Sequence, residues 1–175
     1  MRQRRLGDDL NQPPRQPLYT PEERRRRDET RWTLVQGVLA PLQFLVFLVS
    51  LYLVVRYLMT GAGESAATWS IVIKTLVLYT IMITGSIWEK VAFGKYLFAR
   101  PFFWEDVFSM LVLGLHTAYL YALFTDVVDV RGQMYIALAA YAAYVINATQ
   151  FLLKLRAARL SQPAPGDVAA AEAAE

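Results

Sequence analysis

Four long stretches of this chain are apolar throughout and do not alternate between an apolar and a polar face. They cover residues 32–55, 65–88, 107–125 and 132–153, and Lys74 is the one charged residue within them. Each is close to the roughly 20 residues that a helix needs to cross about 30 Å of hydrocarbon. The pattern predicts an all-α integral membrane protein, a four-helix bundle in which the bilayer replaces water as the solvent.

The polar segments outside these stretches separate one membrane domain from two tails. A chain of 175 residues is long enough for one helical bundle and not for two domains. We expect residues 19–160 to form the bundle, and residues 1–18 and 161–175, which are rich in Pro, Arg, Gln, Ala or Glu, to be disordered. The spans are predicted at about residues 32–57, 67–88, 104–125 and 132–155.

Basic residues are unevenly distributed among the segments that join the spans. Nine Lys or Arg residues precede the first span, three lie between the second and third, and three follow the fourth. The other two loops and their flanks hold only Arg56, Lys74 and Arg131. The positive-inside rule therefore predicts that both termini and the middle loop face the cytoplasm.

The segment before the first span combines a helix start with a run of arginines. Thr20 can cap a helix, Pro21 suits its first turn, and Glu23 completes a capping box. We expect this short polar helix to continue into the first span. Four adjacent arginines, 24–27, would lie beside the membrane, where they favour anionic lipid headgroups. The predicted partner is the lipid bilayer and not nucleic acid.

Composition restricts the chemistry that the chain can perform. The chain has no Cys, which excludes thiolate catalysis, iron–sulfur ligation and Cys-based zinc sites. It has a single His, which excludes bis-histidine haem, and no dinucleotide-binding fingerprint. Carboxylates, one imidazole and several hydroxyls remain, and these suit proton transfer and water addition better than redox chemistry. We expect no cofactor and no metal ion of the protein's own.

Polar side chains within the spans are candidate functional residues, because each is costly in hydrocarbon unless it is buried in the bundle. His116 lies on the same face of its helix as Glu105, about 16 Å further along the axis. It is either an axial metal ligand or a structural His that is hydrogen-bonded to a Thr, Asn or Gln. Lys74 is expected near the outer end of its span, where it can snorkel. Four amides are expected to hydrogen-bond between helices or to contact a ligand: Gln36, Gln43, Asn147 and Gln150.

The middle loop, expected at residues 89–106, mixes carboxylates, basic residues and aromatic rings as the headgroup layer favours. Glu89, Glu105 and Asp106 bring three carboxyls to one membrane face. They are either acid–base groups or an interfacial charge cluster paired with basic residues of the loop. Asp106 is rotated by about 100° from Glu105 and need not point into the bundle with it. Pro101 is expected to interrupt any helix here.

Several distinctive segments lie in one order between residues 17 and 159. They are PLYTPEERRRRD (17–28), WTLVQG (32–37), KTLVLYT (74–80), IWEK (87–90), FFWEDVFS (102–109), LHTAY (115–119) and NATQF (147–151). In these segments the chain resembles the 3-vinyl bacteriochlorophyllide hydratases of phototrophic bacteria.

The resemblance implies a hydro-lyase that adds water to the 3-vinyl group of chlorophyllide a or bacteriochlorophyllide. The product carries the 3-(1-hydroxyethyl) group of bacteriochlorophyll a biosynthesis. A magnesium chlorin is then the substrate, and the enzyme is a multi-pass protein of the bacterial inner, or intracytoplasmic photosynthetic, membrane. Neighbouring enzymes of the pathway are candidate partners. The resemblance assigns no catalytic residues.

The chemistry of vinyl hydration suggests roles for the candidate residues. Protonation of the terminal vinyl carbon leaves a cation on the carbon next to the ring, to which water then adds. We expect Glu105 to be the acid or the water-orienting base, with Glu89 or Asp106 as its partner. The expected substrate contacts are Phe102, Phe103 and Trp104 stacking on the ring, Lys95 or Arg100 pairing with the propionate, and His116 ligating the substrate magnesium. The amides Gln36, Asn147 and Gln150 are further expected contacts.

Two other classes of protein remain compatible with the residues. A non-catalytic pigment-binding carrier or photosystem assembly factor would also need a flat apolar site for the pigment and His116. Its function would tolerate loss of the carboxyls. A small transporter or channel subunit would need a polar path across the membrane, and the first two spans carry few charges.

Overall fold

The computed structural model describes residues 19–160 as helices joined by short connections, and this part of the chain contains no β-strand. The helices are α1 (Pro21–Glu29), α2 (Arg31–Thr60), α3 (Glu64–Phe93), α4 (Phe103–Thr125) and α5 (Val130–Leu160), with a 3₁₀ turn at Arg100–Phe102. Helices α2 to α5 are each long and apolar enough to cross a membrane. The predicted all-α fold with four long apolar helices is confirmed, whereas both predicted tails lie outside the described residues.

The N-terminal helix begins at the predicted capping box but does not continue into α2. The amide of Glu23 donates to Thr20 Oγ1 at 3.2 Å, and the amide of Thr20 donates to Glu23 Oε2 at 2.8 Å. Thr30 has an extended conformation (φ −76°, ψ 136°) and accepts a hydrogen bond from the amide of Trp32. The prediction of a continuous helix is therefore wrong, because Thr30 leaves the helical conformation to cap α2.

Glycines in the left-handed conformation determine where α2 and α3 end. Gly61 (φ 70°) terminates α2 and Gly63 (φ 88°) precedes α3, so residues 61–63 form a tight turn between the first two spans. Gly94 (φ 81°) terminates α3 at a point well inside the predicted middle loop. That loop is consequently only residues 94–99, followed by the 3₁₀ turn that contains Pro101. We call this end of the bundle the middle-loop end.

The four long helices form two closely packed pairs, α2 with α3 and α4 with α5, which contact each other more sparsely. Hydrogen bonds support the first pair: Gln36 Nε2 donates to Thr84 Oγ1 at 2.8 Å, and Trp88 Nε1 donates to Thr33 Oγ1 at 2.9 Å. In a bilayer, helices gain little hydrophobic free energy by associating, so packing and such polar contacts hold them together.

The contact between the two pairs, called here the seam, includes a few hydroxyl hydrogen bonds. Ser50 Oγ of α2 lies 2.5 Å from Tyr141 OH of α5 across the seam, and within the first pair it lies 2.7 Å from Ser70 Oγ of α3. On the other side of the bundle, Tyr79 OH of α3 lies 2.8 Å from Thr117 Oγ1 of α4. The seam is thus held at a small number of points.

An aromatic cluster closes the middle-loop end beneath α1. Tyr19 stacks on Phe93 at a centroid distance of 5.6 Å, and Phe102 lies 5.4 Å from Trp88 and 6.0 Å from Phe151. These contacts join the N-terminal segment, α3, the 3₁₀ turn and α5. They hold in place the two helix ends that carry the candidate carboxyls.

Candidate active site at the middle-loop end

The structure brings the three predicted carboxyl residues to the same end of the bundle and buries all of them. Glu89 lies near the end of α3, and Glu105 and Asp106 lie in the first turn of α4. Their exposed fractions are 5%, 5% and 4%. Asp106 is buried despite its rotation from Glu105, since the middle loop folds over it. Glu89 is thus not an exposed interfacial charge, and the neighbouring Lys90 donates to the carbonyl oxygen of Gly94.

Glu89 and Asp106 hold two successive backbone amides of the middle loop. The amide of Phe98 donates to Asp106 Oδ2 at 2.6 Å, and the amide of Ala99 donates to Glu89 Oε2 at 3.3 Å. Phe98 adopts a left-handed conformation (φ 59°), which is uncommon for a residue other than glycine. Because adjacent amides hold them, the two buried carboxyls are neighbours, and like charges at one site disfavour ionisation of both.

Glu105 is in a different electrostatic environment, because it is paired with a lysine from α5. Lys154 Nζ lies 2.6 Å from Glu105 Oε2 and also donates to the carbonyl oxygen of Pro101. The expected alternative pairing with middle-loop bases is not found among the described residues, and Lys95 and Arg100 are exposed. Sequence reasoning missed this role of Lys154, although its spacing of four residues from Gln150 places it on the same stripe of α5.

Two of the three aromatic residues expected to stack on a ligand lie outside the bundle interior. Phe103 and Trp104 are exposed and pack against each other at a centroid distance of 5.5 Å. Phe102, in contrast, is buried in the aromatic cluster. A ring that stacked on Phe103 or Trp104 would therefore lie at the bundle surface and not between the helices.

Amides extend the polar lining from the carboxyls toward the centre of the bundle. Asn147 Nδ2 donates to Ser109 Oγ at 2.8 Å and so joins α5 to α4, as the interhelical alternative predicted. Asn147 Oδ1, Gln150 Oε1 and both amide atoms of Gln43 are buried and have no hydrogen-bond partner within the described part of the chain. Buried polar atoms normally have partners, so these mark positions where a ligand or water can bind.

His116 lies deeper along α4 than the carboxyls and is fully buried. Its Nδ1 lies 2.8 Å from the carbonyl oxygen of Val112 and must donate the proton to it. Nε2 then carries the lone pair of a neutral imidazole, and no described residue hydrogen-bonds to it. The predicted Thr, Asn or Gln partner is absent among those residues, and Nε2 is available as an acceptor or a metal ligand.

Lys74 does not reach the membrane surface, so the prediction that it snorkels is wrong. Its side chain is fully buried, and Nζ has no hydrogen-bond partner among residues 19–160. The physical reason is its position ten residues into α3, which places it about 15 Å along the helix from Glu64, on the face that packs into the bundle. The Nζ atom lies 4.1 Å from the centroid of the Tyr144 ring.

A groove between α3 and α4 opens the seam toward the bilayer. It encloses about 260 Å³ and is lined by Tyr79, Met82, Ile83, Leu113 and Thr117. On α3 these positions lie between Lys74 and Glu89. The groove is much smaller than a tetrapyrrole, so a ligand of that size needs the two helix pairs to separate along it.

Comparison with known proteins adds family information to this geometry. The model of the family described as 2-vinyl bacteriochlorophyllide hydratase matches residues 19–157. A protein of that name from Rhodobacter capsulatus is 72% identical over 148 residues, which cover 85% of this chain and 86% of that protein. One from Cereibacter sphaeroides is 69% identical over 152 residues, covering 86% and 94%. No solved structure matches this chain.

Proposed function

Because the chain belongs to the family of 2-vinyl bacteriochlorophyllide hydratases, we propose that it hydrates the vinyl group of chlorophyllide a or bacteriochlorophyllide. That group is numbered 2 in the family name and 3 in the numbering used above. The product carries a 3-(1-hydroxyethyl) group for bacteriochlorophyll a biosynthesis. The observation that carries the proposal is the group of three buried carboxyls at one end of an apolar bundle.

Hydration requires two proton transfers and no change of oxidation state overall. An acid gives a proton to the terminal vinyl carbon, which becomes a methyl group and leaves a cation beside the macrocycle. A water oxygen then bonds to that cationic carbon and loses a proton to a base. A proton returned from the base to the acid, directly or through water, completes the cycle. Two carboxyls in different environments can supply the acid and the base.

Glu89 and Asp106 are best suited to be the acid. Each is buried, and two neighbouring buried carboxyls are more stable with a proton on one of them, which can serve as the proton that the vinyl group needs. Their other hydrogen bonds come from backbone amides of the middle loop, which orient the carboxyls. We assign the proton donor to this pair.

Glu105 is better suited to be the base than the acid. Its Oε2 accepts a hydrogen bond from Lys154 Nζ at 2.6 Å, so Glu105 takes the acceptor role in this ion pair. A carboxylate in the first turn of α4 can orient a water molecule at the membrane interface and accept its proton. The ion pair therefore favours Glu105 as the base that orients water and accepts its proton.

The seam is the proposed binding slot for the macrocycle. A chlorin about 15 Å across that stands along the bundle axis would span most of the roughly 16 Å rise between Glu105 and His116. Its vinyl edge would lie at the carboxyls, and Gln36, Asn147 and Gln150 would line the slot. In this placement His116 is level with the far edge of the ring, and its free Nε2 would ligate the central magnesium with the ring about 8 Å deeper, which the His116 variant below tests. The exposed Lys95 or Arg100 can bind a propionate that stays near the surface.

The proposed location is the bacterial inner membrane, including its intracytoplasmic photosynthetic part, beside other enzymes of the pathway. The four apolar helices and the lipid-soluble substrate support a membrane location. The basic residues of the N-terminal segment, around the middle loop and near the end of α5 support an orientation with both termini in the cytoplasm.

Membranes that contain this protein should convert chlorophyllide a into a product heavier by one water, without added nicotinamide, flavin or metal. The reaction is redox-neutral, so chromatography with mass analysis of the pigments should find the hydrated product after dialysis and chelation. Membranes without the protein are the control. Absence of hydration by folded, pigment-binding protein would favour a carrier or assembly factor instead.

Replacing the carboxyls by amides should separate their catalytic role from their structural role. Glu89→Gln, Asp106→Asn and Glu105→Gln each keep an oxygen acceptor but remove a proton-transfer group. Each should lower turnover by about 100-fold or more, the usual scale of general acid–base catalysis, with little change in pigment binding.

Glu64→Gln is the matched control, since Glu64 is exposed at the opposite end of α3. It should leave turnover unchanged. If Glu105→Gln and Glu89→Gln are both near wild type in folded protein, the proposed mechanism is wrong.

Loss of the imidazole at residue 116 should affect magnesium chlorins selectively. His116→Ala removes the Nε2 atom that is free to ligate the metal, so the affinity for chlorophyllide should fall more than the affinity for its metal-free analogue. Absorbance titration of both pigments into the purified variant measures the difference. Equal losses for the two pigments would assign His116 to packing or hydrogen bonding.

The proposed orientation can be tested with reporters that are active only in the periplasm. A reporter fused after Arg159 should be silent, because the basic segments retain that end in the cytoplasm. One inserted near Gly63, between α2 and α3, should be active. The reverse pattern would overturn the orientation.

A further inference from the structure

Lys74 is a buried cation that the proposed mechanism does not use. Its ammonium lies inside the bundle among aromatic rings from two other helices. The ring centroids are those of Phe47 at 5.9 Å, Tyr141 at 5.6 Å and Tyr144 at 4.1 Å. No carboxylate in the described part of the chain forms an ion pair with it, and no described acceptor hydrogen-bonds to it.

Aromatic rings can offset part of the cost of a buried ammonium, but they leave its three N–H donors without oxygen or nitrogen acceptors. Ionisable residues at membrane depth are rare and usually mark a binding or transport function. The nearby His116 ring packs on Tyr141 at a centroid distance of 5.9 Å, and its Nε2 is also without a partner among these residues. Two unpartnered polar groups therefore line the same part of the interior.

The depth of Lys74 relative to the carboxyls can be read along α5. Lys154 pairs with Glu105, and Tyr144, on which the Lys74 ammonium lies, comes ten residues earlier on the same helix. Ten residues correspond to about 15 Å of helix. A chlorin roughly 15 Å across would therefore reach Lys74 with the edge opposite its vinyl group if it stood along the axis.

We propose that Lys74 is a substrate-binding residue that donates a hydrogen bond to an oxygen on the edge of the macrocycle opposite the vinyl group. That half of a chlorophyllide carries two kinds of oxygen acceptor, the ketone of the fifth ring and the carboxylate of the propionate. Either would supply the acceptor that the ammonium lacks; a propionate bound at Lys74 would replace the surface contact with Lys95 or Arg100, whereas the ketone is compatible with it. The inference rests on the proposed function and adds to it the contact that determines which edge of the ring reaches the carboxyls.

The test measures binding of three pigments to four proteins in lipid nanodiscs. The pigments are chlorophyllide a, its propionate methyl ester and its derivative with the ring ketone reduced to an alcohol. The proteins are wild type, Lys74→Met, Lys74→Arg and Arg56→Met. Arg56 is an exposed cation of α2 and serves as the matched control. Circular dichroism and gel filtration establish that each protein is folded.

Lys74→Met should weaken chlorophyllide binding by about tenfold or more, the loss expected for a hydrogen bond from a charged donor. Lys74→Arg should retain part of the affinity, and Arg56→Met all of it. One of the two modified pigments should bind wild type more weakly and be insensitive to Lys74→Met. The modified pigment that behaves in this way identifies the ketone or the propionate as the acceptor.

Equal losses for all three pigments, or no loss for any, would assign Lys74 a structural role and overturn the proposal. If the Lys74 variants do not fold, wild type still decides, because undiminished binding of both modified pigments would also overturn it. The hydration assay separates this result from the proposed function. If wild type hydrates chlorophyllide but neither modified pigment shows the expected loss of affinity, only the role of Lys74 is contradicted. If folded wild type binds pigment without hydrating it, the proposed function is contradicted.

Discussion

Polar groups that are buried away from water need partners within the protein, and this constraint determines how the middle-loop end is built. Glu89 and Asp106 accept hydrogen bonds from the backbone amides of two successive loop residues. Lys154 donates hydrogen bonds to both Glu105 and the carbonyl oxygen of Pro101. The same bonds close the loop over the helix ends and orient three carboxyls. Structure and proposed chemistry therefore depend on the same contacts. A change of carboxyl to amide keeps the acceptor oxygen and so tests proton transfer, whereas a change to Ala would also remove the hydrogen bonds of the loop.

The division of the bundle into two helix pairs follows from the physics of association in lipid. Apolar surfaces gain little free energy by meeting each other there, so packing and hydrogen bonds decide which helices adhere. Within each pair such contacts are extensive, whereas the seam relies on a few hydroxyl bonds such as those of Ser50 and Tyr79. A sparsely bonded seam that is open to the bilayer suits a flat, lipid-soluble ligand better than a tightly interlocked bundle does.

The two ends of the proposed slot differ in chemistry. Acidic groups at the middle-loop end have hydrogen-bond partners, and the proposed mechanism uses them for proton transfer. Deeper in the bundle, the imidazole of His116 and the ammonium of Lys74 have unpartnered polar atoms among the described residues. One end is therefore suited to proton transfer and the other to holding a ligand. Together they would position a macrocycle more precisely than an apolar slot alone.

The sequence by itself determined the four apolar helices, because the length and composition of a span depend on the bilayer and not on its neighbours. It also determined that Glu89, Glu105 and Asp106 lie at one end, since two adjoining spans place them there. Only the tertiary structure decided that Glu105 pairs with Lys154, 49 residues away, and that Lys74 points into the bundle. Helical periodicity specifies which residues share a face, whereas the packing of the helices decides what that face meets.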